Sequence, residues 1–177
     1  MKAGAIVRPC TLLVQPLEDT GTIPNNAKCP LLIYSGVLAL PKRNPAHAIE
    51  LLLKTNHWGG TWRNGIYTYH HYHSTAHEVL ICYAGSTKVQ LGGEPGVVQT
   101  IGVGDVILIP AGTGHKNLGA SDDFAIVGGY PQGQDWDMNY GKPGERPKAD
   151  ENIARVPLPQ SDPIYGAGGP VMDYWQV

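Results

Sequence analysis

The sequence predicts an all-β fold, a sandwich or barrel of short antiparallel strands. From Gly65 to about Tyr130, apolar and polar residues alternate with a period of two, which is typical of strands. Segments rich in glycine, proline or aspartate interrupt this pattern at 92–96, 102–105, 110–114 and 120–123. The 177 residues also include 23 glycines and 15 prolines, a composition that favours many short strands over long helices.

The region before the alternating segment is expected to hold extended segments and one helix. The apolar run LLIYSGV (31–37) is typical of a strand. The segment NPAHAIELLLKTNHW (44–58) predicts a helix, because Asn44 can cap it, Pro45 suits its first position, and apolar residues recur on one face.

Seven strands are expected in the alternating segment, followed by a loop and a C-terminal arm. The expected strands are 65–73, 77–84, 86–91, 97–101, 105–109, 115–118 and 123–129. We expect one domain, 1–177, divided into N-terminal strands and helix (1–60), a barrel core (61–130), and a loop with a C-terminal arm (131–177).

Charge, hydropathy and cysteine content exclude several classes of protein. The formal charge of −2 gives no basic excess for nucleic acid. The apolar stretch 31–40 is about half the length that a membrane span needs, and Arg8 interrupts the N-terminus too early for a secretory signal. Cys10, Cys29 and Cys82 are widely spaced and form neither a CxxC zinc pattern nor a disulfide framework, so we expect a cytoplasmic location. Since no cationic residue flanks Cys82 in sequence, we expect it to be an inert core residue.

Four of the seven histidines are crowded between positions 70 and 77, and Glu78 follows directly. On a strand, residues two apart face the same side, so His71 and His73 are expected on one face and His70 on the other. Two imidazoles in this arrangement can reach one cation. An HxH pair alone, however, is a weak indication of a metal site.

Two longer patterns surround this pair and strengthen the prediction. The pattern G-x5-HxH-x4-E-x6-G is present at Gly65, His71, His73, Glu78 and Gly85. The pattern G-x5-PxGxxH is present at Gly104, Pro110, Gly112 and His115. In this order they resemble the two motifs of the cupin superfamily.

The resemblance implies a cupin-type double-stranded β-helix, or jelly-roll barrel, with one helix in its N-terminal region and a C-terminal arm. It implies that His71, His73, Glu78 and His115 bind one divalent transition metal, which could be Fe, Mn, Ni, Co or Zn. Glu78, and not His77, is expected to be the ligand, because adjacent residues on a strand point to opposite faces.

The chain departs from the superfamily pattern at one position, and three of its segments resemble a subgroup of the superfamily. The second motif usually has asparagine four residues after its histidine, where this chain has Gly119; Asn117 lies two residues earlier. The segments 23–26, 62–65 and 133–141 resemble, more loosely, the small single-domain YjlB-like cupins. That likeness indicates no substrate.

The ligand set predicts an enzyme acting on a small oxygen-rich molecule, as a dioxygenase, isomerase or lyase. Four ligands leave two positions of a six-coordinate metal for a substrate that chelates through two oxygens. Tyr69, Tyr67 and Arg63 are the candidate catalytic residues that could orient an oxyanion, although both tyrosines could simply fill the barrel.

Other functions stay open at this point. The same barrel could be a non-catalytic module that binds a sugar or a hormone-like molecule, a metal-free sugar epimerase, or a storage-type protein. The polar, aromatic segment 133–141 could be a lid or a packed loop. The C-terminal VMDYWQV could pack on this chain or form a dimer, and a homodimer is expected from the superfamily resemblance alone.

Overall fold

The computed structural model describes residues 6–176, in which nine strands and three helices are found. Residues 1–5 and 177, which belong to the expected N-terminal segment and C-terminal arm, lie outside the described residues. The strands are β1 (Thr11–Gln15), β2 (Leu31–Ser35), β3 (Trp58–Asn64), β4 (Glu78–Ala84), β5 (Ser86–Leu91), β6 (Val97–Gly102), β7 (Val106–Ile109), β8 (His115–Ala120) and β9 (Ala125–Pro131). The helices are α1 (Pro45–Thr55), α2 (Lys148–Ile153) and α3 (Pro170–Tyr174).

The strands form two antiparallel sheets, which confirms the predicted fold class. The larger sheet has the order β1-β2-β7-β4-β9-β3, and the smaller has the order β6-β5-β8. Neighbours in the sheets are mostly distant in sequence, as in β4 with β9. This pairing of distant strands is characteristic of a jelly roll.

The central strands of the larger sheet, β2, β7, β4 and β9, are buried on both faces, which explains why they are almost continuously apolar. In β4, Leu80 and Cys82 pack with the smaller sheet inside the barrel, whereas Val79 and Ile81 face a second core beneath Ile49 of α1. Each fully buried aliphatic side chain contributes about 1.5–3 kcal/mol. Two such cores hold the mouth of the barrel in a fixed shape.

Two local expectations were wrong, both next to the histidine cluster. No strand spans 65–73: only His71 and Tyr72 form isolated bridges there, to His115 and Asn139. The strand before this loop, β3, was not predicted, and it pairs with β9 through an irregular register. Its glycine pair, Gly59 and Gly60, gives a sequence signal more typical of a turn.

Helix α1 is present as predicted, but it starts differently. Pro45 occupies its first turn, while Asn44 adopts a left-handed conformation (φ 53°) and makes no capping bond with its side chain. The helix therefore starts on the fixed φ of proline and not on a capping side chain. No helix between residues 6 and 176 is both long and apolar enough to cross a membrane.

The C-terminal arm packs against its own chain. Buried Asp162 accepts hydrogen bonds from the Tyr34 hydroxyl (2.6 Å) and from the backbone N–H groups of Ile164 and Val171. The Trp175 indole donates to the carbonyl of Pro30 at 2.8 Å. Packing within the chain, one of the two expected roles for this arm, is thus confirmed.

Candidate metal centre

The three motif histidines come from two neighbouring segments at the mouth of the barrel. His71 and His115 exchange backbone hydrogen bonds, at 3.3 and 3.0 Å, and the Gly112 N–H donates to the His73 carbonyl at 2.7 Å. Gly112 has φ +92°, and a Cβ there would lie 2.4 Å from the Asn25 carbonyl oxygen. The motif therefore needs glycine at this position, because a side chain would be strained at this φ and would collide with the backbone of Asn25.

The side chains of these histidines converge, and Glu78 joins them. The candidate ligand nitrogens of His71, His73 and His115 all lie within 4.8 Å of one another. Glu78 Oε2 lies 3.4 Å from His73 Nε2 and 3.2 Å from His115 Nε2. All four residues are buried. The four predicted ligands are thus brought together by the fold.

Each of these imidazoles is oriented by a backbone carbonyl. Nδ1 of His71 pairs with the carbonyl of Tyr69 at 3.2 Å, Nδ1 of His115 with that of Thr113 at 3.0 Å, and Nδ1 of His73 with that of Asp137. A carbonyl only accepts hydrogen bonds, so Nδ1 carries the proton in each ring. When such a ring is neutral, its lone pair is on Nε2, which is the arrangement that metal-binding histidines use.

Burial and neighbouring charges shift the pKa values of three residues in the centre. Burial, helped by the nearby His115, lowers the pKa of His71 to about 3. Burial would also lower the pKa of His73, but the Glu78 carboxylate outweighs it and raises this pKa above its ordinary value. Burial would raise the pKa of Glu78, yet the imidazoles of His73 and His115 bring it well below its usual range. Glu78 therefore stays a carboxylate.

The chemistry of this donor set fits a divalent metal ion. Glu78 Oε2 is fully buried and receives no hydrogen bond from residues 6–176. Leaving a buried carboxylate oxygen unpaired is costly, and a bound cation would remove that cost. Three imidazole nitrogens and one carboxylate oxygen suit Fe, Mn, Ni, Co or Zn.

The centre lies on the wall of a cavity of about 380 Å³. The four ligands share this wall with apolar and aromatic side chains. The other lining residues are Gly60, Trp62, Arg63, Asn64, Gly65, Ile66, Tyr67, Leu80, Tyr130, Trp136 and Met138. A small molecule entering the cavity would contact the ligands directly.

The three candidate catalytic residues lie farther out than expected. Tyr67 lines the cavity but is 50% exposed, and Tyr69 is 44% exposed and does not line the cavity. Tyr67 therefore borders the cavity as expected, whereas Tyr69 does not, because the segment that carries them is not a continuous strand whose pairing would fix the alternation. Arg63 donates to both carboxylate oxygens of Glu50, at 2.7 and 2.8 Å, so its guanidinium is already paired. Whether any of them acts in catalysis stays a prediction.

Sequence reasoning missed Tyr130 and Trp62, which approach the centre from β9 and β3. The Trp62 Nε1–H donates to the Tyr130 hydroxyl at 2.8 Å. Burial and the neighbouring Glu78 raise the pKa of Tyr130, so its phenol stays protonated. A Cβ at Gly128 would lie 2.1 Å from the Trp62 ring. Gly128 and Gly129, directly before Tyr130, are the sequence feature that could have indicated this close approach of a ring to the strand.

His70 and His77 point away from the centre, as predicted. His70 pairs with Glu94 at 3.1 Å. His77 accepts the Ala111 N–H on Nδ1 at 3.0 Å and packs against the ring of Trp175. Burial lowers the pKa of His77 to about 4.

Two further sequence features have structural roles. Cys82 is a buried free thiol whose pKa is raised to about 11 by burial, consistent with an inert residue. Asn117 accepts hydrogen bonds from the Thr87 hydroxyl at 2.9 Å and from the Gly119 N–H at 2.7 Å. It thereby stabilises an irregularity in the β5–β8 pairing.

The segment 133–141 forms a wall beside the centre. The carboxylate of Asp137 accepts hydrogen bonds from the backbone N–H and the hydroxyl of Ser74, and its carbonyl orients His73. Asn139 and Tyr72 exchange backbone hydrogen bonds at 2.9 and 3.0 Å. Trp136 is 50% exposed at the mouth of the cavity. The segment around this tryptophan is therefore held by hydrogen bonds, as in the packed-loop alternative.

A jelly-roll barrel with three histidines and a glutamate gathered at its mouth is the architecture of a cupin. The family model described as Cupin domain matches residues 62–127. The chain is also 40% identical over 157 residues to the uncharacterised protein YjlB of Bacillus subtilis (strain 168), covering 89% of this chain and 92% of that protein. The chain belongs to the cupin family.

Two solved structures with partial likeness are proteins of different kinds. One is the dTDP-6-deoxy-D-glucose-3,5-epimerase RmlC of Legionella pneumophila, with a TM-score of 0.40, 13% identity, and coverage of 69% of this chain and 72% of that one. Another is the 11S allergen of Cocos nucifera, with a TM-score of 0.38 and 19% identity over 55% of this chain and 32% of that one. At these levels the likenesses say nothing about ligands.

Proposed function

We propose that this cupin binds one divalent transition metal through His71, His73, Glu78 and His115 and is an enzyme acting on a small oxygen-rich molecule. One observation carries the proposal: three Nε2 lone pairs and a buried carboxylate oxygen converge, and no described group donates a hydrogen bond to that oxygen. Acceptors that converge without a donor are best satisfied by a cation.

The reaction would be that of a dioxygenase, isomerase or lyase. A divalent metal bound there would supply Lewis acidity or electron transfer. Tyr130, protonated and beside Glu78, is placed to donate a proton or hydrogen bond to a ligand oxygen in the cavity. Among the sequence candidates, Tyr67 is the one whose ring borders that cavity, while Tyr69 and Arg63 would have to reorient to contact a ligand.

Elemental analysis of untagged, chelator-free protein tests the proposal. We expect about one equivalent of metal per chain, absent from His71→Ala and His115→Ala. The matched control is His70→Ala, which removes a nearby histidine that pairs with Glu94 outside the centre. Protein that retains no metal after reconstitution, or variants that retain as much as the wild type, would contradict it.

Assays of the metal-loaded protein with candidate small molecules distinguish an enzyme from a non-catalytic binding module. A ligand-binding module would take up a small molecule without turnover, under aerobic and anaerobic conditions alike, whereas an enzyme would release product.

The homodimer and the cytoplasmic location stay predictions. Light scattering would measure the number of chains in the assembly.

A further inference from the structure

Two aromatic side chains that line the cavity are exposed at its mouth. Tyr67 and Trp136 are each 50% exposed. Exposed aromatic groups that cluster beside a cavity commonly mark a ligand site, because they lose unfavourable contact with water when a ligand covers them. This cluster lies beside the proposed metal centre.

The two rings lie next to different metal ligands. The Tyr67 ring lies 5.3 Å from the His71 ring, and the Trp136 ring lies 5.5 Å from the His73 ring. Both residues line the cavity. A molecule bound at the centre would therefore meet aromatic surface as soon as it extended beyond its chelating atoms.

Each of the two rings is supported by a second aromatic ring. Tyr67 stacks on Tyr69, with centroids 4.9 Å apart and an interplanar angle of 16°. Trp136 stacks on Tyr130, at 6.4 Å and 23°. Rings held by such contacts lose little conformational freedom when a ligand binds, so the surface is preorganised.

The charges of the cavity argue against an anionic group beyond the chelating atoms. Arg63 is the one Lys or Arg among the described lining residues, and both Glu50 oxygens already pair with it. Ile66, Leu80 and Met138 add apolar surface. These apolar and aromatic surfaces match a flat apolar ring.

We propose that the cavity binds a neutral aromatic compound with two neighbouring oxygen donors, whose ring packs against Tyr67 and Trp136. This inference rests on the proposed function, since the oxygens would bind the metal held by the four ligands. A volume of about 380 Å³ accommodates one six-membered ring with small substituents.

Three hydroxamates with the same donor atoms test the proposal on zinc-loaded protein by titration calorimetry. Acetohydroxamate has no ring, cyclohexanecarbohydroxamate has an apolar but puckered ring, and benzohydroxamate has a flat aromatic ring. We expect benzohydroxamate to bind about tenfold more tightly than acetohydroxamate, and also more tightly than the cyclohexane compound.

Alanine variants test which aromatic side chains produce the preference for benzohydroxamate. Tyr67→Ala and Trp136→Ala should each reduce the benzohydroxamate preference several-fold while zinc content stays at the wild-type level. The matched control is Tyr140→Ala, which removes an exposed aromatic ring that does not line the cavity. It should leave the preference unchanged.

The outcomes separate this proposal from the one on which it rests. Zinc-loaded protein that binds the three hydroxamates equally would overturn the aromatic ligand and leave the metal centre standing. The aromatic ligand would also be refuted if Tyr140→Ala weakened the preference as much as Trp136→Ala did. Protein that takes up no zinc would overturn both proposals.

Discussion

Replacing Asp137 with alanine should leave the proposed metal ligand His73 less firmly oriented, although Asp137 is not itself a proposed ligand. The Asp137 carboxylate accepts the Ser74 N–H at 2.6 Å, the Ser74 hydroxyl, and the Asn139 amide at 2.9 Å. These bonds fix the position of the Asp137 carbonyl, which orients His73 through Nδ1. Despite burial, the hydrogen bonds from Ser74 hold the pKa of Asp137 below its usual range.

The size of the effect follows from these bonds. Hydrogen bonds to a charged acceptor are worth about 1.5–3 kcal/mol each, and Ser74 is fully buried. Since Asp137 itself is partly exposed, we expect Asp137→Ala to lower the free energy of unfolding of the apoprotein by about 2–4 kcal/mol. Loss of the group that orients a metal-binding histidine typically weakens metal binding about 10–100-fold.

Two measurements check this prediction, with Asp135→Ala as the matched control. Urea unfolding of the apoprotein gives the stability change, and competition with a chromophoric zinc chelator gives the affinity. Asp135 lies on the same segment and is exposed; its carbonyl accepts a hydrogen bond from the Thr75 hydroxyl, and its carboxylate has no hydrogen bond within residues 6–176. If Asp137→Ala bound zinc as tightly as the wild type, the proposed orientation of His73 through this loop would be refuted.

Two further predictions concern pH and the C-terminal arm. Because imidazoles must be deprotonated to bind a metal, bound zinc should be released as pH drops below about 6; full retention at pH 4, measured by dialysis and elemental analysis, would argue against imidazole ligands. Asp162→Ala should lower the free energy of unfolding by about 3–5 kcal/mol, since it leaves the Tyr34 hydroxyl and several buried N–H groups without their acceptor. The control is Asp173→Ala, on the exposed side of α3, which should change the free energy of unfolding by less than about 0.5 kcal/mol, measured by urea titration. Equal losses of stability in the two variants would contradict the role of Asp162.

The four proposed ligands could be predicted from sequence because their spacing is local. His71, His73 and Glu78 lie within eight positions, and His115 follows a proline–glycine turn that marks the start of β8. The strands between them could also be predicted, because each is buried on a face that shows in its apolar pattern.

The rest of the site depends on contacts that no local pattern records. Tyr67 and Tyr69 alternate as in a strand, but a strand also needs a continuous partner, and this segment forms only isolated bridges, at His71 and Tyr72. Trp62 and Tyr130 meet because β3 pairs with β9, more than sixty residues away. Sequence periodicity indicates which residues share one face of a strand, but it does not identify the residues that pack against that face.

The carbonyls behind the three histidines also bear on how this protein can change during evolution. Tyr69, Thr113 and Asp137 each orient a ligand through the main chain. A substitution can replace a side chain but cannot delete a carbonyl, so the proton position on these rings is protected from most single mutations. The side chains that line the cavity have no such protection. Selection could therefore exchange the ligand preference of the cavity many times while the four-residue centre beneath it stayed the same.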